Sequence, residues 1–298
     1  MISLIDKKTN TEFIDKPSNI FRMYKDMPTF CDAWDVDSFY ENVEVCLDDA
    51  EIVPEYKGNL ISSLCLKKKV NKSEIKQKIS LKKDSNCIDF ETEIDWREPH
   101  KLLKVDFNTN IHTNEITSEV QFGYINRPTH KNRQYDADRF EVNQQKWSAL
   151  TESKRGFAVL NDCKYGISGN NSKISLTLLK AGAMPDLNAD KGIQKFTYSV
   201  MPFTETLFDS DVVKNGFELN CPVTVKNGYM EEKSVLNVSD KNIIIDTVKT
   251  AEDGSGDINI RLYESMNTLT HTKLRFGFDI KDAYITIVKN VKWQEYLH

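Results

Sequence analysis

The feature that most constrains the fold is a strict two-residue alternation of apolar and charged side chains between residues 75 and 96. One face carries Ile88, Phe90, Thr92, Ile94 and Trp96, and the other carries Asp89, Glu91, Glu93 and Asp95. Just upstream, the alternation sets Ile75, Gln77, Ile79 and Leu81 against Lys76, Lys78, Ser80 and Lys82. A period of two places successive side chains on opposite faces of a strand. The two runs therefore predict a hairpin with its turn at Ser85-Asn86.

The row of four carboxylates on this hairpin has two interpretations. Pairing the strands sets the lysine face beside the acidic face, with Lys82 by Asp89 and Lys78 by Glu93, which stabilises the hairpin without any function. A calcium site is the alternative. Neighbours on one face of a strand are about 6.6 to 7 Å apart, too far to share one ion. We therefore interpret the row as a solvated face.

Similar alternation recurs along the chain, and helical spacing sustained over ten residues is hard to find, so the sequence predicts an all-β protein. Further strands are predicted at Leu102–Phe107, Glu119–Ile125, Phe157–Asn161, Lys173–Leu179, Gln194–Met201, Cys221–Val225, Ile243–Val248, Ile258–Tyr263, Lys273–Ile280 and Tyr284–Val291. Many short strands separated by turn residues favour packed sandwiches. The polar stretch after Pro202 divides the chain into a large domain, 1–205, and a smaller one, 206–298.

Composition excludes several classes of partner and compartment. The net charge is −5 and the basic residues are interspersed with acidic ones, so no basic patch is available for nucleic acid. No apolar run approaches the length of about 20 residues that spans a membrane, and the N-terminus lacks the apolar core of a secretory signal. These features predict a soluble, cytoplasmic chain. Its six widely spaced cysteines predict free, buried thiols.

The common self-contained catalytic signatures are missing from the sequence. It has no His-Glu-x-x-His, no Gly-rich phosphate loop and no Gly-x-Ser-x-Gly, and its five histidines form no close pair. A metal site within this chain is therefore not predicted. In AWDVDSFY, Asp35 and Asp37 could grip sugar hydroxyls beside aromatic rings, but we favour a turn whose aromatic side chains fill the core.

The segment GFAVLNDCKYG (156–166) is the best candidate for a functional site. An apolar run bounded by Gly156 predicts a buried strand, and it stops at Asn161, Asp162 and Lys164. Polar loops at the ends of rigid strands are where β proteins present chemistry.

Several segments resemble one family. They are CDAWDVDSFYE (31–41), IDFETEIDWREPHKLLKVDF (88–107), EVQFGYINRPTHKN (119–132), RFEVNQQKWSAL (139–150), GFAVLNDCKYG (156–166) and PDLNADKGIQKFTYSVMP (185–202). In this order and spacing they resemble the C-terminal β-sandwich region of the family 38 glycoside hydrolases, the α-mannosidases, and most closely the cytosolic branch with its similar LNDCKYG stretch. The tail segment VKTAEDGSGDINIRLYE (248–264) is similar to the family's last sandwich.

The resemblance implies a large, galactose mutarotase-like super-β-sandwich followed by a smaller C-terminal β-sandwich. It also implies a longer parent protein whose N-terminal β/α barrel carries a zinc ion, held by two Asp and two His, and an Asp nucleophile and Asp acid/base. Two carboxyl groups about 5 to 5.5 Å apart would give retention at the anomeric carbon. None of that barrel is in these 298 residues. The chain is therefore expected to be an inactive fragment with no metal or catalytic residue of its own.

The partners implied by the resemblance are the barrel of the same polypeptide and an α-mannoside substrate. An interdomain face exposed by truncation would allow the fragment to self-associate. The alternative function is a free-standing, non-catalytic carbohydrate-binding sandwich. No membrane partner is expected.

The family's large sandwich sends a loop toward the sugar-binding cleft, and we place that role on Asn161, Asp162 and Lys164. Asp162 would accept hydrogen bonds from sugar hydroxyls, and Lys164 would orient it or a barrel carboxylate. The alternative is that Asp162 and Lys164 form an ion pair at a domain interface or cap a turn. Arg127 and His130, in the NRPTH segment, are further candidates for the cleft. Cys163 is expected to be a small buried side chain.

Overall fold

The structure is a computed structural model that describes residues 1–45, 47 and 49–286. The chain divides into two compact units, Met1–Pro222 and Val223–His298. Strands dominate both units, which confirms the predicted all-β class.

The strands in chain order are β1 (Ile5–Asp6), β2 (Thr11–Glu12), β3 (Ile20–Lys25), β4 (Glu44–Val45), β5 (Glu51–Lys57), β6 (Ile61–Val70), β7 (Ser73–Lys82), β8 (Ile88–Trp96), β9 (Lys101–Asn108), β10 (Glu115–Val120), β11 (Gly123–Pro128), β12 (Val142–Asn143), β13 (Trp147–Thr151), β14 (Gly156–Asn161), β15 (Gly166–Asn170), β16 (Lys173–Lys180), β17 (Gly192–Phe203), β18 (Leu236–Val238), β19 (Ile243–Thr250), β20 (Ile258–Glu264) and β21 (Leu274–Phe276). The helices are α1 (Gln134–Ala137), α2 (Val212–Asn220) and a 3-10 turn at Ser38–Asn42.

Two sheets face each other in the first unit. One has nine strands in the order β11-β10-β13-β14-β17-β8-β7-β6-β5, and the other has six in the order β12-β15-β16-β9-β3-β4. The main core lies between them, because buried residues of both sheets belong to one apolar cluster. The ring of Phe90 on β8 lies 6.0 Å from that of Phe107 on β9, centroid to centroid. The unit is thus a β-sandwich, as the resemblance implied.

The hairpin that dominates the sequence is formed by β7 and β8, and its acidic face is paired with lysines. Lys82 Nζ lies 2.8 Å from Asp89 Oδ2, as predicted. Lys78, however, lies opposite Glu91 and not Glu93. The last strand pair is Leu81 with Ile88, so the connecting loop is longer than the predicted turn and the register moves by two residues. A two-residue shift keeps every side chain on its predicted face.

Three of the predicted strands differ from the structure. Glu119–Ile125 is wrong because the chain turns at 121–122 between β10 and β11, and the alternation simply continues through the turn. Cys221–Val225 is an exposed segment without strand pairing. Lys273–Ile280 is reduced to β21. The predicted strand Tyr284–Val291 lies beyond residue 286 for the most part, outside the described residues.

The helix α2 extends the first unit past the predicted boundary at residue 205. Val212 is fully buried, and a Cβ added to Gly216 would lie only 3.1 Å from Trp147 Cδ1. Asn220 Nδ2 donates to the carbonyl oxygen of Asn161 at 2.9 Å. These contacts tie 212–220 to β13 and β14, so the first unit runs to Pro222.

The second unit contains two small antiparallel sheets, β18 with β21 and β19 with β20. Asn242 Nδ2 donates to Glu264 Oε1 at 2.7 Å and so joins the two ends of the β19–β20 hairpin. Ile243 and Met266 are its buried apolar side chains among the described residues. Across the part of the chain that the structure describes, no helix is both long and apolar enough to cross a membrane.

Candidate functional site

The polar segment 162–165, here called the crossover loop, carries the chain from one sheet of the sandwich to the other. It follows β14, which is buried along its whole length between β13 and β17 of the nine-stranded sheet. It leads into β15 of the six-stranded sheet at Gly166. A Cβ on Gly166 would lie 2.8 Å from Glu141 Oε1 and 3.0 Å from Thr177 Cβ, so glycine permits this close approach. Rigid strands therefore hold both ends of the loop.

Asn161 anchors the crossover loop from beneath. It is 1% exposed, and its Nδ2 donates to the carbonyl oxygen of Gln145 at 2.8 Å. Its Oδ1 accepts from the backbone N–H of Lys164 at 2.6 Å. Both polar ends of the side chain are engaged within the chain, because a buried amide must be satisfied internally. The structure thus gives Asn161 the role of shaping the loop.

Segment 144–146 forms a wall along the crossover loop. Gln144 is completely buried, its Nε2 donates to the carbonyl oxygen of Lys164 at 3.0 Å, and its N–H donates to that of Tyr165 at 2.9 Å. Lys146 Nζ lies 3.0 Å from Glu119 Oε1 and keeps this wall on β10. The sequence analysis missed Gln144 and Glu119, since their role depends on contacts between distant segments and leaves no local pattern.

Asp162 is clamped to β17 by two hydrogen bonds. Its N–H donates to the carbonyl oxygen of Thr197 at 3.1 Å, and its Oδ2 accepts from the N–H of Thr197 at 2.8 Å. Within the described residues, the other carboxylate oxygen, Oδ1, is covered and accepts no hydrogen bond. A carboxylate has capacity for several donors. Asp162 therefore keeps one unused acceptor at the end of the sandwich.

Lys164 places its charge on an aromatic ring. Its Nζ lies 4.4 Å from the ring centroid of Phe196, a cation–π distance. Phe196 is 4% exposed and belongs to β17, the strand that also binds Asp162. Asp162 and Lys164 are thus held side by side on one strand by separate contacts.

Cys163 is exposed, which corrects the expectation of a buried side chain. Of the five described free cysteines, Cys87 alone is buried. Partial burial of the sulfur and then the adjacent Asp162 carboxylate raise the pKa of the Cys163 thiol to about 11. A raised pKa keeps the group as the thiol at neutral pH, so Cys163 is unsuited to nucleophilic chemistry.

This raised pKa gives a testable pH dependence. At pH 8 the native Cys163 should react with iodoacetamide roughly ten- to a hundredfold more slowly than in the urea-unfolded chain, because little thiolate is present. The rate should keep rising as the pH passes 10. Asp162→Asn removes one cause of the shift and should speed alkylation severalfold at pH 8. Peptide mass spectrometry of residue 163 measures each rate, and a native profile that levels off near pH 9 contradicts the interpretation.

The backbone of Arg127 and of His130 lies away from the crossover loop, but Arg127 Nη2 donates at 3.3 Å to Asn143 Oδ1, and Asn143 pairs with Gly166 at the end of that loop. Arg127 lies on the edge strand β11 opposite Ile116, near the Glu115 end of β10. The crossover loop follows the opposite strand ends, where Leu160 pairs with Trp147. His130 Nδ1 lies 3.7 Å from Asp136 Oδ2. The structure therefore groups Asn161, Asp162 and Lys164, connects Arg127 to the same loop through Asn143, and leaves His130 beside Asp136.

The end of the sandwich that bears the crossover loop also exposes large apolar side chains. Phe30 is 77% exposed and Trp34 75%, in the segment that follows β3, and Leu187 is 72% exposed in the segment that leads into β17. A hydrogen bond of 2.6 Å from the N–H of Ala183 to Asp32 Oδ2 joins the two segments. The expectation that the aromatic side chains of AWDVDSFY fill the core holds for Tyr40, which is 4% exposed, but not for Trp34.

The described residues offer no ligand set for a metal. Nowhere in 1–45, 47 and 49–286 are three or more His, Cys, Asp or Glu side chains placed to hold an ion. The described residues therefore do not fit the zinc that the resemblance implies.

Comparison with known proteins identifies two matching family profiles. Residues 1–188 match the glycosyl hydrolases family 38 C-terminal domain. Residues 242–296 match the glycosyl hydrolases family 38 C-terminal beta sandwich domain.

Curated proteins with similar sequences are α-mannosidases. Alpha-mannosidase G of Dictyostelium discoideum is 35% identical over 283 residues, which cover 90% of this chain and 26% of the relative. Human alpha-mannosidase 2C1 is 33% identical, with 90% of this chain and 26% of the relative covered. The chain therefore spans about a quarter of the length of these relatives.

A solved structure shares the fold. The crystal structure of a glycosyl hydrolase family 38 protein from Enterococcus faecalis superposes with a TM-score of 0.74. It is 16% identical in sequence, and the match covers 92% of this chain and 37% of that one.

Proposed function

This chain belongs to glycosyl hydrolase family 38, as part of its C-terminal region, and we propose that it forms the non-catalytic wall of the substrate cleft of an α-mannosidase. In this role the crossover loop contacts the sugar, and a separate catalytic domain of the same polypeptide carries out the hydrolysis of terminal α-mannosides. The chain alone is then inactive.

The unused acceptor of Asp162 is the observation that carries this proposal. Its Oδ1 accepts no hydrogen bond within the described residues, while Oδ2 is fixed by Thr197 at 2.8 Å. Because Oδ1 is covered in this structure, it would accept a sugar hydroxyl once the crossover loop shifts toward the cleft, while the bond of Oδ2 to Thr197 would keep the carboxylate in place. Lys164, partly exposed beside it, adds a donor that can leave the Phe196 ring for a hydroxyl or a carboxylate.

The apolar side chains at the same end support docking of a further domain there. Phe30, Trp34 and Leu187 are each more than two thirds exposed. Aromatic side chains exposed together favour a protein partner. We infer that the N-terminal part of the family's longer chain covers them and sets the crossover loop beside its active centre. If left uncovered, they would promote self-association of the chain.

The remaining chemistry would belong to that N-terminal part. Zinc, the nucleophile and the acid/base would be supplied there, with a retaining mechanism through two closely spaced carboxyl groups. The residues of this chain would orient the sugar and exclude water. A cytoplasmic location is part of the same proposal.

The proposal is tested in a polypeptide that carries this chain together with the N-terminal part of a family 38 protein. Asp162→Ala should lower kcat/KM for an aryl α-mannoside by about tenfold or more, because a hydroxyl loses a charged acceptor. The melting temperature should stay within a few degrees. Asp15→Ala is the matched control, since Asp15 is exposed and has only a 4.0 Å contact with Lys16. Unchanged kinetics in Asp162→Ala would leave Asp162 a purely structural role.

The free-standing carbohydrate-binding sandwich predicts a different result for the isolated chain. Calorimetric titration with mannose would then give saturable heat that Asp162→Ala abolishes. We expect no measurable heat, because the isolated chain would hold one wall of the cleft.

A further inference from the structure

Two neighbouring segments carry the chain between the two sheets. The crossover loop leads from β14 of the nine-stranded sheet to β15 of the six-stranded sheet, and segment 144–146 leads from β12 of the six-stranded sheet to β13 of the nine-stranded one. The strand β12 is a two-residue edge strand, and its Asn143 pairs with Gly166, where the crossover loop enters β15. The position of β12 therefore affects how the crossover loop ends.

Arg127 reaches β12 from the opposite sheet. It lies on β11, the edge strand of the nine-stranded sheet, opposite the buried core residue Ile116, so its side chain starts on the inner face of that sheet. Its Nη2 donates to Asn143 Oδ1 at 3.3 Å. Since Asn143 pairs with Gly166, this hydrogen bond links the edge of one sheet to the entry of the crossover loop into the other.

The strand β15 also contacts the nine-stranded sheet further along its length. A Cβ added to Gly169 would lie 3.0 Å from Ile116 Cγ2, so the two sheets approach closely there. Gly166 precedes Gly169 by three residues, a distance of about 10 Å along an extended strand. The hydrogen bond between Arg127 and Asn143 therefore links the sheets at the end of β15 that receives the crossover loop.

The guanidinium of Arg127 has few compensating contacts. Burial lowers the pKa of Arg127. In 1–45, 47 and 49–286 it forms no ion pair, and its Nη1 is covered and has no hydrogen-bond acceptor. One hydrogen bond to a neutral amide does not offset the desolvation of a guanidinium. Arg127 is thus expected to add little to the stability of the fold, and its contact with Asn143 is what the side chain supplies.

We propose that Arg127 is a positioning residue of the crossover loop, which acts through Asn143 and does not itself contact the sugar. This inference rests on the proposed function, in which the crossover loop contacts the sugar. Asn143, held by Arg127, keeps β12 beside β15. The next residue, Gln144, then donates from its N–H to the carbonyl oxygen of Tyr165 at 2.9 Å. The geometry of the crossover loop thus depends on an arginine of the opposite sheet.

The first test uses this chain and hydrogen-exchange mass spectrometry of segments 143–146 and 162–166. Arg127→Met should accelerate exchange there by about threefold or more. It should melt at the same or a higher temperature, because it removes an uncompensated buried charge. Asn143→Ala should accelerate exchange in the same segments, and should add nothing to the effect of Arg127→Met. Asn143→Asp supplies a carboxylate to the guanidinium and should slow exchange severalfold.

A matched control and a second variant accompany this test. The guanidinium of Arg155 binds Glu152 at 2.7 Å, beside the start of β14 and not its loop end. Arg155→Met should therefore leave exchange in both segments unchanged. If Arg127→Met does not fold, the two Asn143 variants carry the test. Unaltered exchange in the folded Arg127→Met chain, or in both Asn143 variants, overturns the inference.

The second test uses a polypeptide that also carries the N-terminal part of a family 38 protein. Arg127→Met should lower kcat/KM for an aryl α-mannoside about three- to tenfold, and Asn143→Asp should retain it. Direct contact of Arg127 with the sugar would lower kcat/KM without any change in exchange, which overturns the inference.

Asp162→Ala distinguishes failure of this inference from failure of the proposed function. If Asp162→Ala lowers kcat/KM and Arg127→Met does not, the positioning role is wrong and the proposed function stands. If Asp162→Ala leaves the kinetics unchanged, the proposed function fails, and exchange in the isolated chain still decides whether Arg127 holds the crossover loop.

Discussion

Lys104→Met is expected to lower the free energy of unfolding by about 3 to 5 kcal/mol, because it leaves a mostly buried carboxylate without its partner. Lys104 is 2% exposed in the middle of the six-stranded sheet. Its ammonium binds Glu141, donates to Ser168 Oγ at 2.9 Å and to Tyr40 Oη at 3.2 Å. Glu141 also accepts from Thr177. Burial first, and the charge of Glu141 second, raise the pKa of Tyr40, so the phenol stays neutral.

The double variant Lys104→Met, Glu141→Leu should recover most of the lost stability, since replacing a buried pair with apolar groups is often neutral. Lys82→Met is the control. Lys82 pairs with Asp89 at 2.8 Å, but its side chain is 61% exposed, so its loss should cost at most about 1 kcal/mol. Urea unfolding followed by tryptophan fluorescence measures all three. If Lys104→Met lowers the free energy of unfolding by less than about 1 kcal/mol, the buried network around Lys104 does not stabilise the fold as we expect.

Asn161→Ala is expected to cost about 2 to 4 kcal/mol and to loosen the crossover loop, because it leaves the Gln145 carbonyl and the Lys164 N–H without partners. Hydrogen exchange at Lys164 should accelerate more than exchange in the centre of β14. Urea unfolding gives the free energy, and exchange mass spectrometry gives the local effect.

Two further variants at asparagine positions separate the contributions of the two Asn161 hydrogen bonds. Asn161→Asp keeps the acceptor for Lys164 but loses the donor to Gln145, so its loop should exchange less than that of Asn161→Ala. Asn132 is exposed, and Asn132→Ala should change neither quantity. If exchange in the loop is unaltered by Asn161→Ala, Gln144 and Asp162 hold the loop without Asn161.

Sequence reasoning succeeded where one physical period decides the structure. The alternation through Ile94 and Trp96 fixes which face is buried, and both side chains are fully buried. It failed at the β10–β11 turn, where the left-handed backbone is adopted by Phe122 itself and not by the neighbouring Gly123. It also missed α2, whose nine residues are too few for a clear helical period.

The sequence likewise predicts some features of the crossover loop and not others. Its position at a strand end follows from GFAVLN alone, because a buried apolar strand must stop where polar side chains begin. Which oxygen of Asp162 is used, and that Lys164 lies on Phe196, follow from β17 lying beside the loop. The same holds for the contact of Arg127 with Asn143, which depends on how the two sheets face each other and on the pairing of Asn143 with Gly166.

The sequence by itself determined the all-β class, the family and the location of the loop, since these depend on side-chain period and on motifs read along the chain. Only the tertiary structure decided that Asn161 is an anchor, that Asp162 binds Thr197 through one carboxylate oxygen, and that Arg127 contacts Asn143 of the other sheet. Hydrogen-bond partners arise between segments far apart in sequence, and their pairing is set by strand order and register.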